Sequence, residues 1–210
     1  MTVFAILAYD GIEPIDIGAT YGVLSMAKRI APQLEFYVLS EHGGEIAMAN
    51  GLRLMADRSF RDQQAADVLM VLGGPGWSDV CANQPTLSYL QEAKAEGTTI
   101  ASVCTGAMIL EAAGLLSGLK ATTKVEVFDG ETPPLEILGA RNGDDSTPVA
   151  RIVDTGQILT GGGVSLGIDM TLYLLQRFCG AGVAEETARV LEYSAAWQAN
   201  ADRLQDLVAL

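Results

Sequence analysis

The chain has one histidine, three cysteines and half as many basic as acidic side chains, and these shortages narrow its chemistry before any motif is read. The histidine, His42, lies in Ser40-Glu41-His42-Gly43-Gly44, which reads as a surface loop between strands. No second imidazole exists to serve as the base of a Cys–His dyad. One histidine and scattered cysteines also fall short of a zinc site, so neither a metal nor a cofactor is expected. The 3 cysteines are odd in number and lack CxxC spacing, which argues against a disulfide framework and predicts a reducing, cytoplasmic compartment. With 13 Lys and Arg against 26 Asp and Glu, the formal net charge is -13. Nucleic-acid phosphates need the opposite sign, so no nucleic-acid partner is expected and the charge reads as a solvated acidic surface. No apolar run approaches the roughly 20 residues that cross a bilayer, so no membrane partner is expected either. Met1–Ala8 lacks the basic start of a signal peptide and reads as a first buried strand. No repeat, low-complexity tract or Pro/Gly/Ser-rich linker divides the 210 residues, which predicts a single domain, 1–210.

What the chain does have is apolar residues, 49% of the total, enough for a sizeable core. They fall into short continuous runs separated by helical patterns. Val3–Ala8, Leu34–Leu39, Val68–Leu72 and Thr98–Val103 read as buried strands. Ile15–Ala27 reads as a helix with Ile17, Tyr21 and Leu24 on one side, and Leu87–Glu96 as a helix closed by Gly97. Ile46–Met48 and Leu52–Met55 flank Asn50-Gly51, a hairpin turn; Arg151–Val153 and Gln157–Thr160 flank a second at Asp154-Thr155-Gly156. Thr105–Leu116, Val164–Phe178 and Glu185–Trp197 read as helices, and Lys120–Thr123 as a further strand. Apolar strands alternating with helices predict an α/β fold with a mostly parallel sheet covered on both faces. In such folds the site lies beyond the carboxyl ends of the strands.

Cys104 falls there. It ends an apolar strand and opens a helix, the position of a nucleophile elbow with Cys in place of Ser. A helix N-terminus favours thiolate over thiol, although free cysteines more often simply pack. Gly73-Gly74-Pro75-Gly76 follows another buried strand; it reads either as an ordinary turn or as part of an oxyanion hole. Asp16, between Ile15 and Ile17, is either an acid–base group with a burial-raised pKa or a first-turn acid serving the helix dipole. Glu13 is the competing carboxylate and reads as solvent-facing. Thr160-Gly161-Gly162-Gly163 is a close-packed bend or a site wall, and Cys81 and Cys179 have no catalytic context.

These pieces resemble the ThiJ/PfpI superfamily, of the class I glutamine-amidotransferase-like type. The resemblance rests on Ile15-Asp16-Ile17-Gly18, Gly73-Gly74-Pro75-Gly76, Ser102-Val103-Cys104-Thr105-Gly106-Ala107, Ala113-Gly114-Leu115-Leu116-Ser117-Gly118, Ala121-Thr122-Thr123 and Leu159-Thr160-Gly161-Gly162-Gly163. It covers almost the whole chain and implies a flavodoxin-like sandwich. Within the superfamily the chain looks most like isonitrile hydratases and the ligand-binding halves of AraC-type regulators. The resemblance to the hydratases implies Cys104, Asp16 and Thr105 as the catalytic set, with Gly73, Gly74 and Gly106 around the substrate. It implies a small-molecule substrate, R–N≡C, hydrated to an N-substituted formamide through a Cys104 thioimidate, and a homodimer. The alternative is a non-enzymatic ligand or redox sensor. Two positions depart from other branches. Thr105 stands where the protease-like branch has His, which argues against peptidase activity. Lys124 stands where relatives commonly have His in Ala-Thr-Thr-His; it is either a cation beside the thiolate or a solvated lysine.

Overall fold

The runs with no polar alternation become the centre of the sheet. In the computed structural model, which describes residues 1–62 and 65–208, the strands are β1 (Thr2–Leu7), β2 (Leu34–Ser40), β3 (Gly44–Ala47), β4 (Arg53–Ala56), β5 (Arg58–Ser59), β6 (Val68–Val71), β7 (Thr99–Ser102), β8 (Ile152–Asp154), β9 (Ile158–Gly161) and β10 (Asp206–Val208). The α-helices are α1 (Pro14–Lys28), α2 (Trp77–Val80), α3 (Gln84–Ala95), α4 (Gly106–Ala112), α5 (Pro134–Asn142), α6 (Leu166–Cys179), α7 (Ala181–Val190) and α8 (Ser194–Arg203). Every residue of β6 and β7 is buried, as a strand covered on both faces requires.

Among the described residues the main sheet has eight strands in the order β10-β8-β9-β7-β6-β1-β2-β5. All its pairings are parallel except β8 with β9, the hairpin expected around Asp154-Thr155-Gly156. The Asn50-Gly51 turn joins the antiparallel pair β3–β4, with Asn50 at φ 58°. Helices flank the sheet in two groups: α1 packs with α6 and α7, and α4 packs with α2, α3 and α5. This is the mostly parallel sheet that the element order predicts, in the flavodoxin-like sandwich that the resemblance implies. From β1 the chain runs outward to β2 and β5, then returns to the other side of β1 as β6. That reversal leaves a crevice above the carboxyl ends of β1 and β6, where such folds hold ligands.

Several sequence expectations change. Lys120–Thr123 forms no strand; its buried threonines are held by side chains instead, Thr160 Oγ1 accepting from the Thr122 N–H at 2.8 Å. Glu185–Trp197 is two helices, because Glu192 adopts φ 55° and breaks the run between α7 and α8. Tyr21 is exposed rather than aligned with buried Ile17 and Leu24, and packs edge-on against Phe36. The elbow helix is short, Gly106–Ala112, and the helices α2 and α5 and strands β5 and β10 have too few periodic residues to be read locally.

Candidate active site

Three loops meet over the crevice: that after β1 with the start of α1, that after β6, and the β7–α4 turn. Cys104 sits in that turn at φ 55°, a left-handed conformation costing a non-glycine residue roughly 1–2 kcal/mol. The fold holds the strain from both sides. The Cys104 N–H donates to the Gly162 carbonyl at 3.0 Å, and the Thr123 hydroxyl donates to the Cys104 carbonyl at 2.5 Å. Glycine is required at position 73 for space, since a Cβ there would lie 2.7 Å from Cys104 Cβ and 2.8 Å from Asp16 Oδ2. At Gly74, φ 152° and a Cβ position 2.3 Å from the Glu13 nitrogen exclude any side chain.

Asp16 lies in the first turn of α1 with no exposed surface. Its Oδ2 accepts the Gly73 N–H at 2.9 Å, while Oδ1 has no hydrogen-bond partner among the described residues. Burial pushes its pKa up to about 6, against the pull of the Gly73 N–H and the neighbouring Cys104 thiol. Asp16 thus occupies the first turn of α1, and burial raises its pKa there.

The Cys104 thiol departs from expectation. It is 5% exposed, and burial, followed by the Asp16 charge, pushes its pKa up to about 11. The N–H groups of Val164 and Thr105 and the charge of Lys124 pull the other way and lose. Desolvation beside a carboxylate outweighs the two N–H groups and the lysine that favour the thiolate. Val164, at φ 52°, was not singled out from the sequence, nor was Thr123 as the clamp on the elbow.

The glycines also play a different part from the one expected. Gly73 N–H is spent on Asp16, Gly74 N–H on Thr105 Oγ1 at 3.1 Å, and Gly106 N–H on the Val103 carbonyl at 3.0 Å. These amides position the two side chains rather than stand open as oxyanion donors. Gly106 permits close approach of α4 to β6, since a Cβ would lie 2.0 Å from the Val71 carbonyl oxygen.

A cavity of about 550 Å³ opens over Cys104 and Thr105. Ile15, Trp77, Val127, Phe128, Pro134, Ile137 and Val164 make most of its wall apolar; Glu13, Lys124 and Glu131 supply its charges. Lys124 thus faces the site, its stem lying across Gly163, where a Cβ would meet it at 2.8 Å. Glu13 also lines the cavity and raises the Asp16 pKa, so it does not simply face solvent. Trp77 and the 79% exposed Phe128 carry no local sequence signal for this role beyond being aromatic residues near loops. His42 lines a different cavity, and Cys81 donates to the Met108 carbonyl at 3.4 Å, in packing rather than chemistry. Among the described residues no group of three or more His, Cys, Asp or Glu could hold a metal ion, and no helix is long and apolar enough to cross a membrane.

A doubly wound sheet with a strained cysteine at the elbow after a central strand defines a known class of α/β proteins. The chain belongs to the DJ-1/PfpI family, whose model matches residues 1–177. It is 32% identical over 190 residues to an isonitrile hydratase of Pseudomonas putida, covering 90% of this chain and 78% of that protein. It is 29% identical over 126 residues to a deglycase of Thermococcus kodakarensis, covering 59% of this chain and 73% of that one. In structure it matches oxidized DJ-1 of Toxoplasma gondii with a TM-score of 0.77 at 21% identity, over 92% of this chain and 100% of the other.

Proposed function

We propose that this protein hydrates isonitriles to N-substituted formamides with Cys104 as nucleophile. The observation that carries this reading is a buried carboxylate, Asp16, held by one amide beside a cysteine at a strained elbow, under an apolar cavity. The 32% identity to an isonitrile hydratase supports it.

At neutral pH Asp16, with a pKa of about 6, is mostly ionised, and the thiol, at about 11, is protonated. Asp16 takes the thiol proton as sulfur bonds to the terminal carbon of R–N≡C. It then delivers that proton to the same carbon, leaving the thioimidate R–N=CH–S–Cys104. Water adds to this carbon with Asp16 as base, the nitrogen gains a proton, and the C–S bond breaks. The products are R–NH–CHO and the free thiol, so the atoms of one water balance the reaction. Covalent catalysis of this kind divides one difficult addition into two easier ones. The Thr105 hydroxyl, whose oxygen accepts from Gly74 N–H, keeps its own proton to donate to the substrate nitrogen. Lys124 offsets the negative charge that develops on sulfur. The apolar wall takes R.

We further propose one domain over residues 1–210, of which 63–64 and 209–210 lie outside the described residues, acting as a cytoplasmic homodimer. Light scattering at the monomer mass of 22.1 kDa alone would remove the dimer. A second reading, a sensor of small ligands, is favoured by the protonated resting thiol. Formamide production from a panel of small isonitriles, with wild type and Cys104→Ala side by side, separates the two. Turnover lost in the variant supports the hydratase; turnover equal in both, or absent from wild type, overturns it.

A further inference from the structure

Tyr9 is a buried titratable side chain beside the cysteine site that the chemistry above does not use. It follows β1, where the chain turns toward α1: its carbonyl accepts the Ile12 N–H at 3.1 Å, and Gly11 supplies φ 80° for the turn. Tyr9 lies outside the cavity over Cys104 and borders the one that His42 lines. Its hydroxyl crosses to the loop after β6 and donates to the Leu72 carbonyl at 2.9 Å. The Gly73 N–H, which donates to Asp16 Oδ2 at 2.9 Å, belongs to the same peptide unit. A peptide unit is planar, so fixing its oxygen fixes the direction of its N–H. A donor on the oxygen also polarises the unit and strengthens the hydrogen bond that its N–H gives. The Gly73 carbonyl is tied too, accepting the Glu13 N–H at 2.9 Å.

We propose that Tyr9 is a positioning residue for the reaction: through the Leu72–Gly73 peptide its hydroxyl aims and strengthens the N–H that holds Asp16. The inference rests on the reading of Asp16 as the base at Cys104. A hydrogen bond to a carboxylate favours the charged form, and Gly73 is the foremost influence that opposes burial at Asp16. Glu13, Cys104 and Lys124 also act on Asp16, while Asp169 of α6, which packs against α1, is held by Arg151. Burial, then the charges of Asp16, Cys104 and Cys81, push the Tyr9 pKa well up, so its hydroxyl stays a donor at neutral pH.

The test is Tyr9→Phe, which keeps the ring and removes only the hydroxyl. In the full chain labelled with carboxyl-¹³C aspartate, the Asp16 resonance is identified by its loss in Asp16→Asn and titrated without substrate. It should titrate near 6 in wild type and about 0.5–1 unit higher in Tyr9→Phe. The acid limb of kcat/KM on isonitriles should move with it, a loss of about three- to tenfold below pH 6 that closes by pH 8. Tyr193→Phe, which removes a hydroxyl from Asp169 instead, should leave the Asp16 resonance in place. At position 9, 3-fluorotyrosine is a stronger donor than tyrosine and should lower the Asp16 midpoint; it decides the matter if Tyr9→Phe does not fold. An Asp16 midpoint unmoved by the change at position 9, or moved equally by Tyr193→Phe, overturns the proposal. The resonance is read without turnover, so an absence of hydratase activity leaves this result intact, and an unmoved midpoint leaves Cys104 as nucleophile untouched.

Discussion

Asp16 and Asp169 are two fully buried carboxylates in one small fold, and they are treated in opposite ways. Asp169, on α6, meets Arg151 at 3.2 Å, the Tyr193 hydroxyl at 2.8 Å and the Asn200 amide at 3.1 Å. Arg151 also pairs with Asp206 on β10, so the network ties the C-terminal helix and strand to the sheet. Asp16 accepts one amide on one oxygen, and its other oxygen has no hydrogen-bond partner among the described residues. Burial raises both pKa values, yet of the two Asp16 keeps an unused acceptor, and it lies beside Cys104. A buried charge with all its partners holds structure together; one left short of partners is poised for proton transfer.

That contrast can be broken by substitution. Cys104→Ala should abolish formamide formation while leaving the fold intact, checked by product chromatography and circular dichroism. Asp16→Asn should lower kcat/KM by about 10²–10⁴-fold. In wild type the rate should fall as pH drops through about 6, where Asp16 gains its proton, and the variant should lose that limb. The same substitution should stabilise the protein at pH 8. A carboxyl with a raised folded pKa binds its proton more tightly in the native state, so wild-type stability declines as pH rises from about 4 to about 6. The gain should approach 3 kcal/mol, as about two pKa units imply, and vanish below about pH 4 in urea titrations.

Asp169→Ala should do the reverse: destabilise by about 3–5 kcal/mol, by leaving Arg151 short of a buried partner, without moving the pH limb of any activity. Equal stability losses at positions 16 and 169 would erase the distinction. Alkylation gives a subtler measure. At pH 7.5 iodoacetamide should label Cys104 at least about tenfold more slowly than an ordinary thiol near pKa 8.5, and Asp16→Asn should speed it. Lys124→Met should produce the smallest change, a rate loss of about two- to tenfold, since its charge is the weakest influence on the thiol.

The strands, both hairpins and the elbow could be read from the chain because each depends on near neighbours. Val68–Val71 is apolar throughout, Asn50-Gly51 supports a left-handed turn, and Cys104 separates a buried strand from a helical run. Asp16 could be read from the chain as one of two alternatives, Thr105 entered through family resemblance, and the fold brings both to Cys104. The break at Glu192 and the unpaired 120–123 segment could not be read, because both depend on packing rather than local preference.

The order of strands and helices, the acidic composition and the place of Cys104 between a strand and a helix were determined by residue type and periodicity, which act over a few residues. The protonation of Cys104, the spending of the Gly73 and Gly74 amides on Asp16 and Thr105, and the direction of Lys124 were decided only in the folded molecule. Burial and electrostatics sum over groups far apart in the chain: Asp16 is 57 residues from the amide that holds it. A pKa depends on all of those groups at once, and no local pattern records their distances.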